Sequence, residues 1–242
     1  MTWLFPEERK HYYRHGLFDK YVFQSRYQHD ELQPQLTRFE AVSDRFHHIR
    51  GAFFLDEFEF RPLMHALGTG FVVGRISRAD KDKFAANTWD VYRRIPYVAK
   101  ARVMAWSRQI ERKLGPPPVW CECLAMGTET VQQFFGKIHC MIQANGGAQE
   151  NWPRSGLEAM ACGVPIVAEN KWGWREMIRH AETGYLADND DEMIHLAAKL
   201  AHDEDLRIDM AIKARNSVEN ELADPQELWG KWKELFEELG VG

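Results

Sequence analysis

From about residue 68 the chain alternates short apolar runs with longer stretches of helical period. The runs are Phe71-Val72-Val73, Arg102-Val103-Met104-Ala105-Trp106, Val119-Trp120-Cys121-Glu122-Cys123-Leu124, Cys140-Met141-Ile142-Gln143-Ala144 and Pro165-Ile166-Val167-Ala168. A short run that is apolar throughout, bounded by turn residues, reads as a strand buried on both faces. Helical stretches between such strands predict βαβ units and a parallel, doubly wound α/β sheet. Gly115-Pro116-Pro117-Pro118 stops a helix and launches a strand. Beyond the last run the pattern is helical. Met193, Leu196 and Leu200 share a face behind an Asp190-Asp191 start, and Leu228, Trp232, Leu235, Phe236 and Leu239 share another. Trp229 and Trp232 on so short a terminal helix predict that it docks on some surface, of this chain or of a partner.

The first sixty-odd residues have a different texture. They are rich in His, Tyr, Phe and Arg, with one apolar burst, Tyr21-Val22-Phe23, ahead of a helix-like Ser25–Leu32. One strand with one or two helices does not bury a core of its own, so the segment reads as the end of a domain. The divisions expected are 1–66, this remnant with a linker; 67–224, the α/β lobe; and 225–242, a terminal crossover helix.

Composition narrows the partners. The 242 residues are 45% hydrophobic and 28% charged, as in an ordinary folded domain, and the net charge of −5 provides no general basic field for nucleic acid. No apolar run approaches the ~18–20 residues of a membrane span. The opening Met1–Lys10 is charged too early for a signal peptide. Cys121, Cys123, Cys140 and Cys162 lack the spacing of a zinc site and read as reduced, buried fillers, which leads us to expect a cytoplasmic location.

The stretch richest in chemistry is Glu150-Asn151-Trp152-Pro153-Arg154-Ser155-Gly156-Leu157-Glu158-Ala159-Met160-Ala161-Cys162-Gly163-Val164-Pro165. It reads as a loop, a short helix, a glycine stop and a buried strand. Ser155 and Glu158 have capping-box spacing, Gly163 stands where a helix-ending glycine belongs, and Pro165 opens the next strand. A helix that begins at the carboxyl edge of a parallel sheet offers unpaired N–H groups to a phosphate. Glu150 and Glu158 would accept hydrogen bonds from sugar hydroxyls there. Taken alone, the two carboxylates are equally a loop charge and a cap.

Their surroundings resemble the group 1 glycosyltransferases, a retaining family with two Rossmann-like lobes, the GT-B architecture. The resemblance rests on Glu150, seven residues, Glu158, then Leu157-Glu158-Ala159-Met160-Ala161 and Gly163-Val164-Pro165-Ile166-Val167-Ala168. It continues through Gly173-Trp174-Arg175-Glu176-Met177-Ile178 and Thr183-Gly184-Tyr185-Leu186, and covers roughly residues 68–240. It implies that Glu150 contacts the transferred sugar and Glu158 the ribose, and that main-chain N–H groups after Glu150, along Asn151, Trp152, Arg154 and Ser155, meet the sugar and diphosphate. It further implies that Arg75 and a nearby lysine, Lys83 or Lys81 with Lys83 preferred beside an aromatic residue, stabilise the leaving diphosphate. Glu150, Arg75 and Lys83 are thus the expected catalytic set. The donor would be a nucleoside-diphosphate sugar, UDP favoured over GDP, with no cofactor and no metal. Pro153 departs from the family's glycine-bearing loop and removes a main-chain donor.

Residues 1–66 would then be the end of the acceptor lobe, Tyr21–Ser25 resembling its closing strand and following serine, and the terminal helix would cross back to brace it. The acceptor, whether glycan, lipid or small molecule, is not specified. A nicotinamide-dependent oxidoreductase is a rival fold reading, but Gly68-Thr69-Gly70 precedes a strand instead of following one. Asp80 and Asp82, interleaved with lysines, read as charges at a helix start, not a metal motif. A nucleotide-sugar-binding module that needs a separate first lobe, or self-association, is the alternative to an active transferase.

Overall fold

The computed structural model describes residues 4–65 and 70–240. The expected boundary at 66/67 and the last two residues of the crossover segment lie outside the described residues. The amino-terminal part folds as α1 (Pro6–His15), β1 (Tyr21–Phe23), α2 (Arg26–Thr37) and β2 (Phe46–His48), the two strands pairing in parallel. Ser25 caps α2, its Oγ accepting from Gln28 N at 3.0 Å. β2 was not legible in the sequence: Phe46-His47-His48 is too short and too polar for a strand pattern. The segment also buries more than expected, with Leu4, Tyr12, Phe23, Leu32, Leu36 and Ala41 in a small cluster. Aromatic edges supply what aliphatic residues would elsewhere, as where Tyr12 meets Phe39 at 5.2 Å and Phe23 meets Phe46 at 5.6 Å.

The main lobe is the doubly wound α/β sheet the apolar runs predict. Its chain order is β3 (Phe71–Ile76), α3 (Thr88–Arg94), β4 (Val98–Met104), α4 (Arg108–Leu114), β5 (Cys121–Leu124), α5 (Val131–Phe135) and β6 (Cys140–Gln143), then α6 (Arg154–Cys162), β7 (Ile166–Glu169), α7 (Trp174–Met177), β8 (Tyr185–Ala187), α8 (Asp190–His202), α9 (Glu204–Ser217) and α10 (Pro225–Glu238). The main sheet's six strands, among the described residues, run in parallel in the order β5-β4-β3-β6-β7-β8. Strand order reverses between β3 and β6, and ligands of such sheets bind in the crevice beyond the strand ends at that point. Val73, Val103, Ile142 and Val167 face α3, α4 and α8 across one core. Met104, Met141, Ile166 and Ala168 face α5, α6 and α9 across the other. Burying both faces is why these strands carry no polar alternation.

Gly163 ends α6 in the left-handed region, φ 83°, as the sequence predicts. The expected Ser155 capping box is not formed. Pro153 pushes the residue before it out of helical conformation, so α6 starts at Arg154 with Pro153 as N-cap and Ser155 already inside the first turn. Glu158 turns instead to Arg154 Nε at 3.1 Å. α10 packs back on the amino-terminal segment, Leu228 and Leu235 against Ile49 with Val22 and Trp232 alongside, and Lys20 Nζ reaches Glu238 at 2.7 Å. Trp229 stays exposed.

Beneath β6, buried His139 accepts from Val72 N at Nδ1, 3.0 Å, and stacks on His65 at 4.7 Å, with Arg207 and Glu204 beside it. Burial, more than the Arg207 and His65 charges, lowers its pKa to about 4 from the ordinary 6.5. The unfolded chain therefore takes up this proton more readily. The stabilisation from His139 is complete above pH 6.5 and is lost as pH falls from there to 4, on the order of 3 kcal/mol. Denaturant unfolding from pH 7.5 to 4 should show that slope, and His139→Gln should flatten it. An unchanged slope in the variant would contradict this assignment.

Candidate active site

The loop leaving β6 is tied on both sides by main chain. Ala85 N donates to Ala144 O at 3.3 Å and Ala148 N to Asp82 O at 2.9 Å, so residues 82–85 and 144–148 run side by side. Gly146 fits because a Cβ there would lie 1.9 Å from Phe84 O. On the other side Gly173 N donates to Glu150 O at 2.8 Å, and a Cβ at Gly173 would lie 1.8 Å from Asn151 O. Asp80 caps the turn Lys81–Lys83 by accepting from Asp82 N at 3.0 Å.

This scaffold sets Lys83 against Glu150. Their Nζ and Oε1 stand 2.5 Å apart with both side chains largely out of water. Of the two lysines, Lys83 lines the cleft and Lys81 does not. Lys81 faces a separate surface depression with Gln109, Arg112 and Lys113, and its carbonyl accepts from Lys113. Lys83 and Glu150 open onto a cleft of about 660 Å³ at the switch point, a size suited to a ligand. Asn151, Trp152, Pro153, Arg154, Ser155 and Glu158 line it as well. Burial pushes the Glu158 carboxyl pKa up, against the pull of Arg154. The Trp152 indole N–H is buried without a partner among the described residues, with the Arg50 guanidinium 5.4 Å from the ring.

Arg75 lies deeper than the cleft surface. Alternation along β3 sends it to the same face as Val73, and it is wholly buried, 4.5 Å from the Phe84 ring and donating to Ala144 O. It does not line the cleft. Burial lowers its pKa from the usual arginine value, opposed by the nearby Tyr92, Glu150 and Glu169. Its Nε and Nη2 are buried without a partner among the described residues. The cation presented from the end of that strand is Arg78, which sequence reasoning passed over and which has no ion pair among the described residues. Its signal was there, an arginine three residues past Arg75 in the loop that follows β3. Glu129, Thr130 and Gln24 also line the cleft and were missed. Glu129 is held by Arg102 at 3.0 Å and by Lys137, and those hydrogen bonds keep its pKa below the usual carboxylate value. Ala105, φ 73°, ends at the cleft wall in a conformation unusual for a residue with a side chain.

The cleft thus combines a cation without a carboxylate partner, a preformed Lys–Glu pair, a second carboxylate and the N-terminus of α6. Donors for phosphate sit beside acceptors for hydroxyls. Residues 124–217 match the family described as glycosyl transferases group 1. The match covers less than half of the chain. The matched residues include Glu150, Glu158, Gly146 and Gly173. Over 64 residues, 26% of this chain, the sequence is 44% identical to N-acetyl-alpha-D-glucosaminyl L-malate synthase of Bacillus anthracis, 17% of whose length is covered. The fold is similar to S. aureus TarM solved with fondaparinux, alpha-GlcNAc-glycerol and UDP (TM-score 0.71, 20% identity, 90% of this chain and 44% of that one). It is also similar to Anabaena HepE solved with UDP-glucose (TM-score 0.73, 17% identity, 90% of this chain and 64% of that one). The chain therefore spans between about half and two-thirds of the solved glycosyltransferases it matches here, and a small part of the curated relative.

Removing one partner of the shielded pair leaves the other charge without compensation. Lys83→Met should lower unfolding stability by about 3 kcal/mol, and adding Glu150→Gln should restore much of it. Equal stability of Lys83→Met and the parent by denaturant unfolding would show that the pair is solvated.

Proposed function

We propose that the chain is the donor-binding half of a glycosyltransferase that moves a sugar from a UDP-sugar to an acceptor hydroxyl with retention at the anomeric carbon. The observation that carries this reading is the Lys83–Glu150 pair facing the switch-point cleft beside Arg78 and the start of α6. In the free protein lysine and glutamate neutralise each other. A bound donor replaces each partner with a better one, diphosphate oxygens for Lys83 and sugar hydroxyls for Glu150. Glu158, shielded in the cleft wall, takes the ribose hydroxyls, and Arg154 is released toward solvent or phosphate. During transfer the bond from the anomeric carbon to the diphosphate oxygen breaks, a bond to the acceptor oxygen forms, and the acceptor proton leaves with phosphate or solvent. Negative charge grows on the departing diphosphate. Arg78, Lys83 and the α6 N–H groups are placed to stabilise it without reorganising, and no metal is required by this reading. Arg75 contributes from beneath, as a buried positive charge close to Glu150. UDP is preferred to GDP because TarM and HepE were solved with uridine nucleotides.

A second reading is favoured by coverage: a nucleotide-sugar-binding module that turns over only with a separate first lobe. Both readings require the donor site and differ in catalysis. UDP at about a hundredfold its dissociation constant should add roughly 2.7 kcal/mol, a midpoint rise on the order of 5–10 °C. Arg78→Ala and Glu158→Ala should each abolish most of that rise. No rise with any uridine or guanosine nucleotide, from a cooperatively unfolding chain, would withdraw the donor site. A rise without UDP release from UDP-sugars in the presence of acceptors would favour the second reading.

A further inference from the structure

The four-residue helix α7 touches both halves of the molecule beside the cleft. At its front, Gly173 lies so close to Glu150 and Asn151 that a side chain is impossible, and its N–H holds the Glu150 carbonyl. At its far end, the Glu176 carboxylate leaves its own lobe and accepts two main-chain N–H groups at the start of α2, Arg26 N at 2.9 Å and Tyr27 N at 2.7 Å. The first N–H groups of a helix have no partner within it, and the positive end of its dipole favours a carboxylate. Buried Ser25, the cap of that same twelve-residue helix, donates its hydroxyl to Asn151 Oδ1. The contacts form a ring. Asn151 main chain packs on Gly173, α7 leads to Glu176, Glu176 binds α2, and Ser25 returns to the Asn151 side chain. Asn151 and Gln24, the residue before Ser25, both line the cleft next to Glu150.

We propose that Glu176 is a positioning residue: by binding the N-terminus of α2 it sets the amino-terminal segment against the main lobe and, through Ser25, fixes Asn151 at the sugar end of the donor cleft. The sugar end is part of the donor reading above and rests on it. The mechanical coupling from Glu176 to Asn151 does not. An amide loses charge and one acceptor at this position, whereas aspartate keeps the carboxylate on a shorter arm.

Amide hydrogen exchange of the ligand-free chain tests the coupling. Glu176→Gln should speed exchange about tenfold at residues 26–28 and also at residues 151–154, with Glu176→Asp closer to the parent at both. Titration tests the consequence. Glu176→Gln should leave the affinity for UDP within about twofold and weaken UDP-glucose by about fivefold, the worth of one neutral hydrogen bond, with partial recovery in Glu176→Asp. Faster exchange at α2 alone, with residues 151–154 unchanged, would overturn the proposal. So would equal losses for UDP and UDP-glucose, which would mark Glu176 as a merely structural cap. A parent chain that binds neither nucleotide would sink the donor reading, and the exchange result alone would then decide the coupling.

Discussion

The loop that leaves β6 passes between two backbones that leave no room for a side chain. At Gly146 the obstacle is the Phe84 carbonyl, and at Gly173 it is the main chain of Asn151. These two close approaches, with the hydrogen bonds alongside them, decide where Glu150 stands and what faces it. Packing in the two apolar cores holds the sheet. The meeting of Lys83, Glu150 and the start of α6 at the point where strand order reverses depends on the loop. A bulkier residue at either glycine would move the backbone that carries the chemistry, a larger disturbance than the loss of one contact.

Charge in this region is layered. Arg75 is buried below, with Glu150 and Glu169 as the carboxylates that offset its desolvation and two of its guanidinium nitrogens without a protein partner. Lys83 and Glu150 form the next layer, shielded but open to the cleft. Arg78 stands outermost. Such an order suits a ligand that is anionic at one end and rich in hydroxyls at the other. Glu129 is already committed to Arg102 and Lys137, so it serves the wall of the cleft more than its ligand.

Much of this was legible in the sequence. Runs such as Cys140–Ala144 and Pro165–Ala168 are mostly apolar because both faces of the sheet are covered, and they sit within a residue or two of the observed β6 and β7. The helix stop at Gly163 is legible because its chemistry is local, and Lys83, Glu150 and Glu158, singled out by a local resemblance, lie along one cleft. What was not legible depends on direction and on distant contacts. Whether Arg75 or Arg78 reaches the cleft depends on which face of β3 each leaves from. Ser155 has the spacing of a cap, but Pro153 moves the helix start past it. Gln24 and Glu176 acquire meaning only when α2 and α7 are brought together, some 150 residues apart in sequence. The strand at Phe46–His48 exists because β1 offers it a partner, not because of its own composition.

The central claim is that the switch-point cleft is the nucleotide site. Photolabelling with an azido-uracil analogue of UDP-glucose, followed by peptide mapping, tests it directly. Labels should fall within residues 126–131 and 149–158 and disappear when UDP competes. Labels at the opposite edge of the sheet, around His65, Tyr97 and His202, or labels that UDP does not displace, would contradict it.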